Sequence, residues 1–109
     1  MTNTNPNPNT NPNPSLCIPR IFDNVNRRDI QTIFDKLNLG KISRIDVIER
    51  KTEKGQSYKR AFIHFYNWYT NDNSEFVRNR IMSGKDIKIV HNEPWFWKVS
   101  ANKWDITKV

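Results

Sequence analysis

Tyr58-Lys59-Arg60-Ala61-Phe62-Ile63-His64-Phe65 is the stretch on which the fold turns. Ala61, Ile63 and Phe65 recur at every second position, and Arg60, Phe62 and His64 fill the gaps between them. A strand sends successive side chains to opposite faces, so this alternation predicts a strand with one apolar face and one mixed face. A ring flanked by cations is an unusual choice for a surface with nothing to bind, because exposed apolar area is costly in water.

The elements on either side follow from their own periodicities. Upstream, Glu49 to Ser57 is polar and carries Gly55, the signature of a hairpin loop. Ile42, Ile45 and Val47 precede it as a second strand, with Asp46 and Ile48 on the opposite side. Further back, Ile30, Ile33, Phe34 and Leu37 fall at i, i+3, i+4 and i+7, one face of a helix. Asn26 stands in the N-cap position and Gly40 punctuates the exit. Leu16-Cys17-Ile18-Pro19-Arg20-Ile21 reads as a short opening strand, with Pro19 near its end because proline donates no backbone hydrogen bond.

Downstream, Asn71 to Met82 predicts a second helix that buries Phe76, Val77 and Ile81 and stops at Gly84. Ile87 to Val90 and Trp95 to Ser100 are two short strands separated by His91-Asn92-Glu93-Pro94. In the last strand Trp95, Trp97 and Val99 are expected in the core, with Phe96 and Lys98 outward. Trp68 and Tyr69 have three readings: base stacking, capping the core or meeting a protein partner. The order is β-α-β-β-α-β with a small hairpin strand before the last. It predicts an α+β, ferredoxin-like split β-α-β-β-α-β sandwich: a four-stranded antiparallel sheet with two helices on one face.

Composition bounds the rest. The chain has 109 residues, enough for one domain whose core lies between two layers. Only 36% of residues are hydrophobic, but four Trp, three Tyr and six Phe supply much buried area per residue. Residues 1–14, MTNTNPNPNTNPNP, hold no charge and repeat Asn-Pro units, so they are expected to be a disordered tail. The 18 basic and 11 acidic residues therefore place the whole net charge of +7 on the remainder, which favours a polyanionic partner. Cys17 is the lone cysteine, so an intrachain disulfide is excluded, no zinc set is expected and an intracellular setting, cytoplasm or nucleus, is the expectation. No run of roughly 18 apolar residues and no charged-then-apolar leader is present, so neither a membrane span nor a secretory signal is expected.

These residues resemble the RNA-recognition-motif family over roughly Ser15 to Ala101. The family's first-strand hexamer is patterned aliphatic, aromatic, aliphatic, any, Asn, aliphatic, and Leu16, Ile18 and Ile21 keep its aliphatic positions. Its third-strand octamer is matched at Ala61, Phe62, Ile63 and Phe65. The chain as a whole is also similar to small proteins of this type from large DNA viruses, which would place it in the host cell. The departures are specific: Cys17 and Arg60 occupy ring positions, and Lys59 replaces the octamer glycine. The resemblance implies a domain over 15–101, a C-terminal extension over 102–109, and binding of single-stranded RNA across the sheet. The RNA-contact set is then Phe62, Arg60, Tyr58, Lys59, His64, Arg20, Phe96 and Lys98, with Lys51 and Lys54 of the hairpin loop gripping phosphates.

Arginine planes stack on bases, so Arg60 can stand in for a ring. Two alternatives stay open. Single-stranded DNA also stacks without a 2′-hydroxyl, and a degraded sheet face would suit a protein partner instead. Phe62 could also be covered by the C-terminal segment through Trp104. Neither a Gly-rich phosphate cradle nor a nucleophile–base spacing is visible, so no catalysis, cofactor or metal is expected.

Overall fold

The computed structural model describes residues 13–92 and 95–102. The elements are β1 (Leu16–Phe22), α1 (Arg27–Leu37), β2 (Gly40–Lys51), β3 (Ser57–Trp68), α2 (Asp72–Met82), β4 (Ile87–Asn92) and β5 (Trp95–Ala101). Helix α1 begins where expected. The Asn26 side chain accepts from the Asp29 backbone N–H, and the Asp29 carboxylate accepts from the Asn26 N–H, a reciprocal cap. Asn38 ends the helix in the left-handed region, at φ 55 and ψ 44.

All strand pairs are antiparallel, and the sheet has five strands in the order β2-β3-β1-β5-β4. The expected four-strand sheet is thus corrected: the hairpin strand β4 is a full member, bonded along the outer edge of β5. Helix α1 joins β1 to β2 across β3, and the chain through α2 returns from β3 to the far side of β1. This α+β arrangement is compatible with a split β-α-β fold.

One face of the sheet forms the core. Leu16, Ile18, Ile21, Ile45, Ala61, Ile63, Phe65, Trp97 and Val99 are buried there against Ile30 and Phe34 of α1 and Val77 and Ile81 of α2. Two sequence expectations fail at this layer. Phe76 is 65% exposed, because Ser74, Val77 and Ile81 make the buried stripe and Phe76 lies off it. Ser74 takes the inner position, and its hydroxyl donates to the Asn38 carbonyl at 3.1 Å. Trp95 is 52% exposed rather than in the core: the β4–β5 register slips between Val90 and Asn92, and such a bulge re-aims the residues beside it.

The lead-in to β1 is anchored. Asn13 Oδ1 accepts from the Trp68 backbone N–H at 3.0 Å, and the Pro14 carbonyl accepts from the Trp68 indole N–H at 2.9 Å. Of the three readings of Trp68, the structure shows the core cap; Tyr69 beside it is partly exposed. The tail expected over 1–14 otherwise falls outside the described residues, as do Trp104 and all of the extension except Asn102. Among the described residues, no helix is long and apolar enough to cross a membrane.

Gly40, expected at the helix exit, instead opens β2, since Asn38 ends the helix. A Cβ there would lie 2.5 Å from the Asn67 carbonyl oxygen and 2.9 Å from the Trp68 Cα, both backbone atoms of the adjoining strand. Gly40→Ala is expected to lower stability by about 1–3 kcal/mol in urea unfolding, since neither atom can swing aside. An unchanged midpoint would show that β2 does not cross β3 this closely.

Candidate functional site

The helix-free face is built by register. Cross-strand partners share a face, so Phe62, paired with Cys17 of β1 and Asp46 of β2, fixes the rest. Tyr58, Arg60 and His64 stand with it on β3, and Arg44, Ile48 and Arg50 stand opposite them on β2. On β5, Ser100 pairs with Cys17, and Phe96 and Lys98 continue that face. Phe22 lies opposite Tyr58, and the Arg20 guanidinium sits 4.4 Å from the Tyr58 ring centre. The Lys88 ammonium lies 4.4 Å from the Phe96 ring centre. Such pairs hold a cation over a π face by the ring quadrupole.

Phe62, Arg60, Tyr58, His64, Arg20, Phe96 and Lys98 therefore share one surface. Lys59 does not. It alternates to the helix side, and its ammonium donates to the Val25 carbonyl at 3.0 Å, tying the loop before α1 to β3. Lys51 and Lys54 are exposed at the β2–β3 hairpin. That hairpin is closed by Thr52, whose N–H donates to the Gln56 carbonyl and whose carbonyl accepts from the Gly55 N–H. Arg60 is partly engaged through Nε, which reaches the Pro19 carbonyl at 3.4 Å.

His64 is committed to a chain of hydrogen bonds that no sequence spacing announced. Ser15 Oγ lies 2.8 Å from His64 Nδ1, and His64 Nε2 lies 2.9 Å from Asp46 Oδ2. Arg44 Nε closes the chain on the Asp46 carboxylate at 3.2 Å. With Asp46 ionised, Nε2–H donates to it and a neutral ring accepts from the Ser15 hydroxyl. The same residue types form the nucleophile–base–acid chain of serine hydrolases. Here Ser15 is 6% exposed, and the chain forms a strut from the lead-in of β1 to β3 and β2. With both ring nitrogens engaged, His64 contributes the ring rather than a free base-reading edge.

Two groups on this face are shifted. Burial pushes the Cys17 thiol up and outweighs the pull of the Arg60 charge, so Cys17 stays a thiol at neutral pH. Burial also raises the Asp46 carboxyl, but the Arg44 and His64 hydrogen bonds and charges prevail and hold it below the ordinary range. Of the cations on this face, Arg44 and Lys98 meet carboxylates, the latter at Asp86. Arg20, Arg50, Arg60 and Lys88 have no carboxylate partner among the described residues.

Sequence reasoning missed Phe22, Trp95 and Lys88. Phe22 meets Trp95 edge to face, with ring centres 5.2 Å apart. The available signal was that Phe22 lies an even number of residues from Arg20. The bulge that exposes Trp95 left no trace in composition. Compared with known proteins, the chain matches no family model, no curated protein and no solved structure.

Because the folded-state carboxyl of Asp46 is depressed, its network stabilises fully above the ordinary aspartate value of about 3.9 and weakens as pH falls through the lowered value. NMR titration should find Asp46 ionising below the ordinary aspartate value, and Arg44→Ala should move it upward. An unmoved titration would remove Arg44 from the strut.

Proposed function

We propose that this chain is a non-catalytic RNA-binding module of the RNA-recognition-motif type, holding single-stranded RNA on the sheet face that the helices leave bare. The observation that carries the reading is that this face interleaves Tyr58, Phe62, Phe22 and Phe96 with cations that lack carboxylate partners. Rings stack on bases of any sequence, and guanidinium and ammonium groups meet the phosphates between them. Phe62 supplies a stack at the centre, Arg60 stacks or pairs beside it, and Lys98, Lys51 and Lys54 lie toward the backbone. Lys59 has a different task, since its ammonium is taken by the Val25 carbonyl. With few stacks and diffuse charge, binding is of micromolar strength and tolerant of sequence. Single-stranded DNA competes wherever the 2′-hydroxyl goes unread.

A second reading has its own observation. A cleft of about 700 Å³ runs between the end of α1, α2 and the β4 edge, lined by Leu37, Leu39, Val77, Ile87 and Ile89, with Phe76 exposed beside it. Apolar surface of this kind suits a protein partner, and Phe96 and Lys98 also line this cleft, so such a partner would share both with the sheet face.

Fluorescence anisotropy with a random single-stranded RNA pool separates these readings. If four phosphates are contacted, a slope of about −0.7 per contact gives a roughly 50-fold loss of affinity between about 50 and 200 mM salt. Phe62→Ala should weaken binding roughly 5- to 150-fold, the worth of one stacked base. Absent binding, or binding indifferent to Phe62→Ala, would shift the assignment to the protein-interaction reading. Replacing Lys51 and Lys54 together with Ala should weaken every RNA sequence alike and flatten the salt slope. A loss confined to one sequence would mean that these lysines read bases.

A further inference from the structure

Three exposed rings of the sheet, Phe22, Trp95 and Phe96, are gathered at one end, in a fork between two strands. The β1–β5 ladder holds for the pairs Leu16–Ala101 and Cys17–Ser100. Beyond these pairs β1 runs on to Phe22 and β5 reaches back to Trp95, and the two rings meet at 5.2 Å. Phe22, Trp95 and Phe96 are 55%, 52% and 47% exposed, whereas Phe62 at the sheet centre is half-buried. A small cavity of about 90 Å³ lies in this fork, lined by Arg20, Phe22, His91, Trp95, Phe96 and Trp97. Its floor is rigid, because His91 stacks on buried Trp97 at 4.4 Å and Trp97 stacks in turn on Phe34 of α1.

We infer that this fork is a nucleobase slot: one unpaired base of the bound strand stacks on the exposed ring surface that Phe22, Trp95 and Phe96 form together, with its phosphate toward Arg20. The slot deepens the proposed function and rests on it. Three features favour a base over an aliphatic side chain. The walls are flat rings from β1 and β5, the surface that stacking requires. Arg20 stands at the rim, held over Tyr58, so a fixed positive charge waits beside the rings. The lining consists of five rings and one arginine, with no aliphatic side chain among them. A second cavity shares Arg20 and Phe22 and continues past Tyr58 to Thr52, Gln56 and Ser57. The next nucleotide lies there, and the strand runs from the fork along the end of the sheet toward the β2–β3 hairpin.

The test follows the indole N–H signal of Trp95, assigned by its disappearance in Trp95→Phe, while full-length protein is titrated with single-stranded RNA octamers and, separately, with adenosine monophosphate. RNA affinity is measured in parallel by anisotropy for Phe22→Ala, Trp95→Ala and Phe62→Ala, and thermal melting confirms that each variant is folded. The slot predicts a shift of the Trp95 signal with both ligands. It also predicts roughly 5- to 150-fold weaker RNA binding for Phe22→Ala and Trp95→Ala, with Trp95→Phe retaining most of the affinity. RNA binding that depends on Phe62 but is unchanged in Phe22→Ala and Trp95→Ala overturns the slot and leaves the sheet reading standing. A Trp95 shift with adenosine monophosphate, together with RNA affinity indifferent to Phe62→Ala, keeps the slot and sinks the sheet-centre reading. A Trp95 signal that moves with neither ligand overturns the slot, as expected if the fork takes a peptide.

Discussion

One-sided burial of the sheet is the constraint on which the structure depends. Both helices lie against the same face, and their buried residues, Ile30, Phe34, Val77 and Ile81, meet Ile18, Ala61, Ile63 and Val99 there. Strand alternation then leaves no freedom on the other side. Every residue between two core positions of β3 must face away from the helices. Tyr58, Arg60, Phe62 and His64 are together because Ala61, Ile63 and Phe65 are buried. A slip of one residue would exchange the two sets, so hydrophobic pattern and candidate site are specified by the same register.

Much of this was legible in the sequence. The stripe from Ile30 to Leu37, the Asn26 cap and the alternation through Phe65 are local signals, and each states its own structure. Interpretation failed where the deciding partner is remote. Phe76 looks like a better core residue than Ser74, but Ser74 is inside, where its hydroxyl joins the Asn71 side chain in donating to the Asn38 carbonyl at the end of α1. Trp95 opens β5 opposite the bulge at His91 of β4, and it stays half-exposed there although parity alone would place it inward. Membership of β4 in the sheet is likewise a matter of pairing, which short apolar runs do not reveal.

The candidate site divides along the same line. The residues on one strand could be grouped by counting in twos, which is why Tyr58, Arg60, Phe62 and His64 fall together. Lys59 breaks from the expected set by that same count: it sits in a basic stretch, but its parity places it inward, over the Val25 carbonyl. The Ser15–His64–Asp46 strut spans 49 and 18 residues of chain, distances at which no motif could flag it. The aromatic fork needed the end of a ladder, and ladders end for reasons of twist and bulge that composition does not record.

The docking of Asn13 and Pro14 on Trp68 has a consequence for where the folding unit begins. Composition changes at Ser15, and a chain trimmed there would look complete by every measure of hydrophobicity. It would lose both acceptors that Trp68 uses, one for its backbone and one for its indole. The indole N–H is buried, and leaving such a donor unsatisfied costs about 1–3 kcal/mol, a sizeable part of a small domain's stability. Trp68 also closes over Phe65, with ring centres 4.7 Å apart, so the loss would be felt beneath it in the core. The last Asn-Pro unit of the repeat is thus a structural part of the sheet, and a protease cutting on either side of it would yield products of unequal durability.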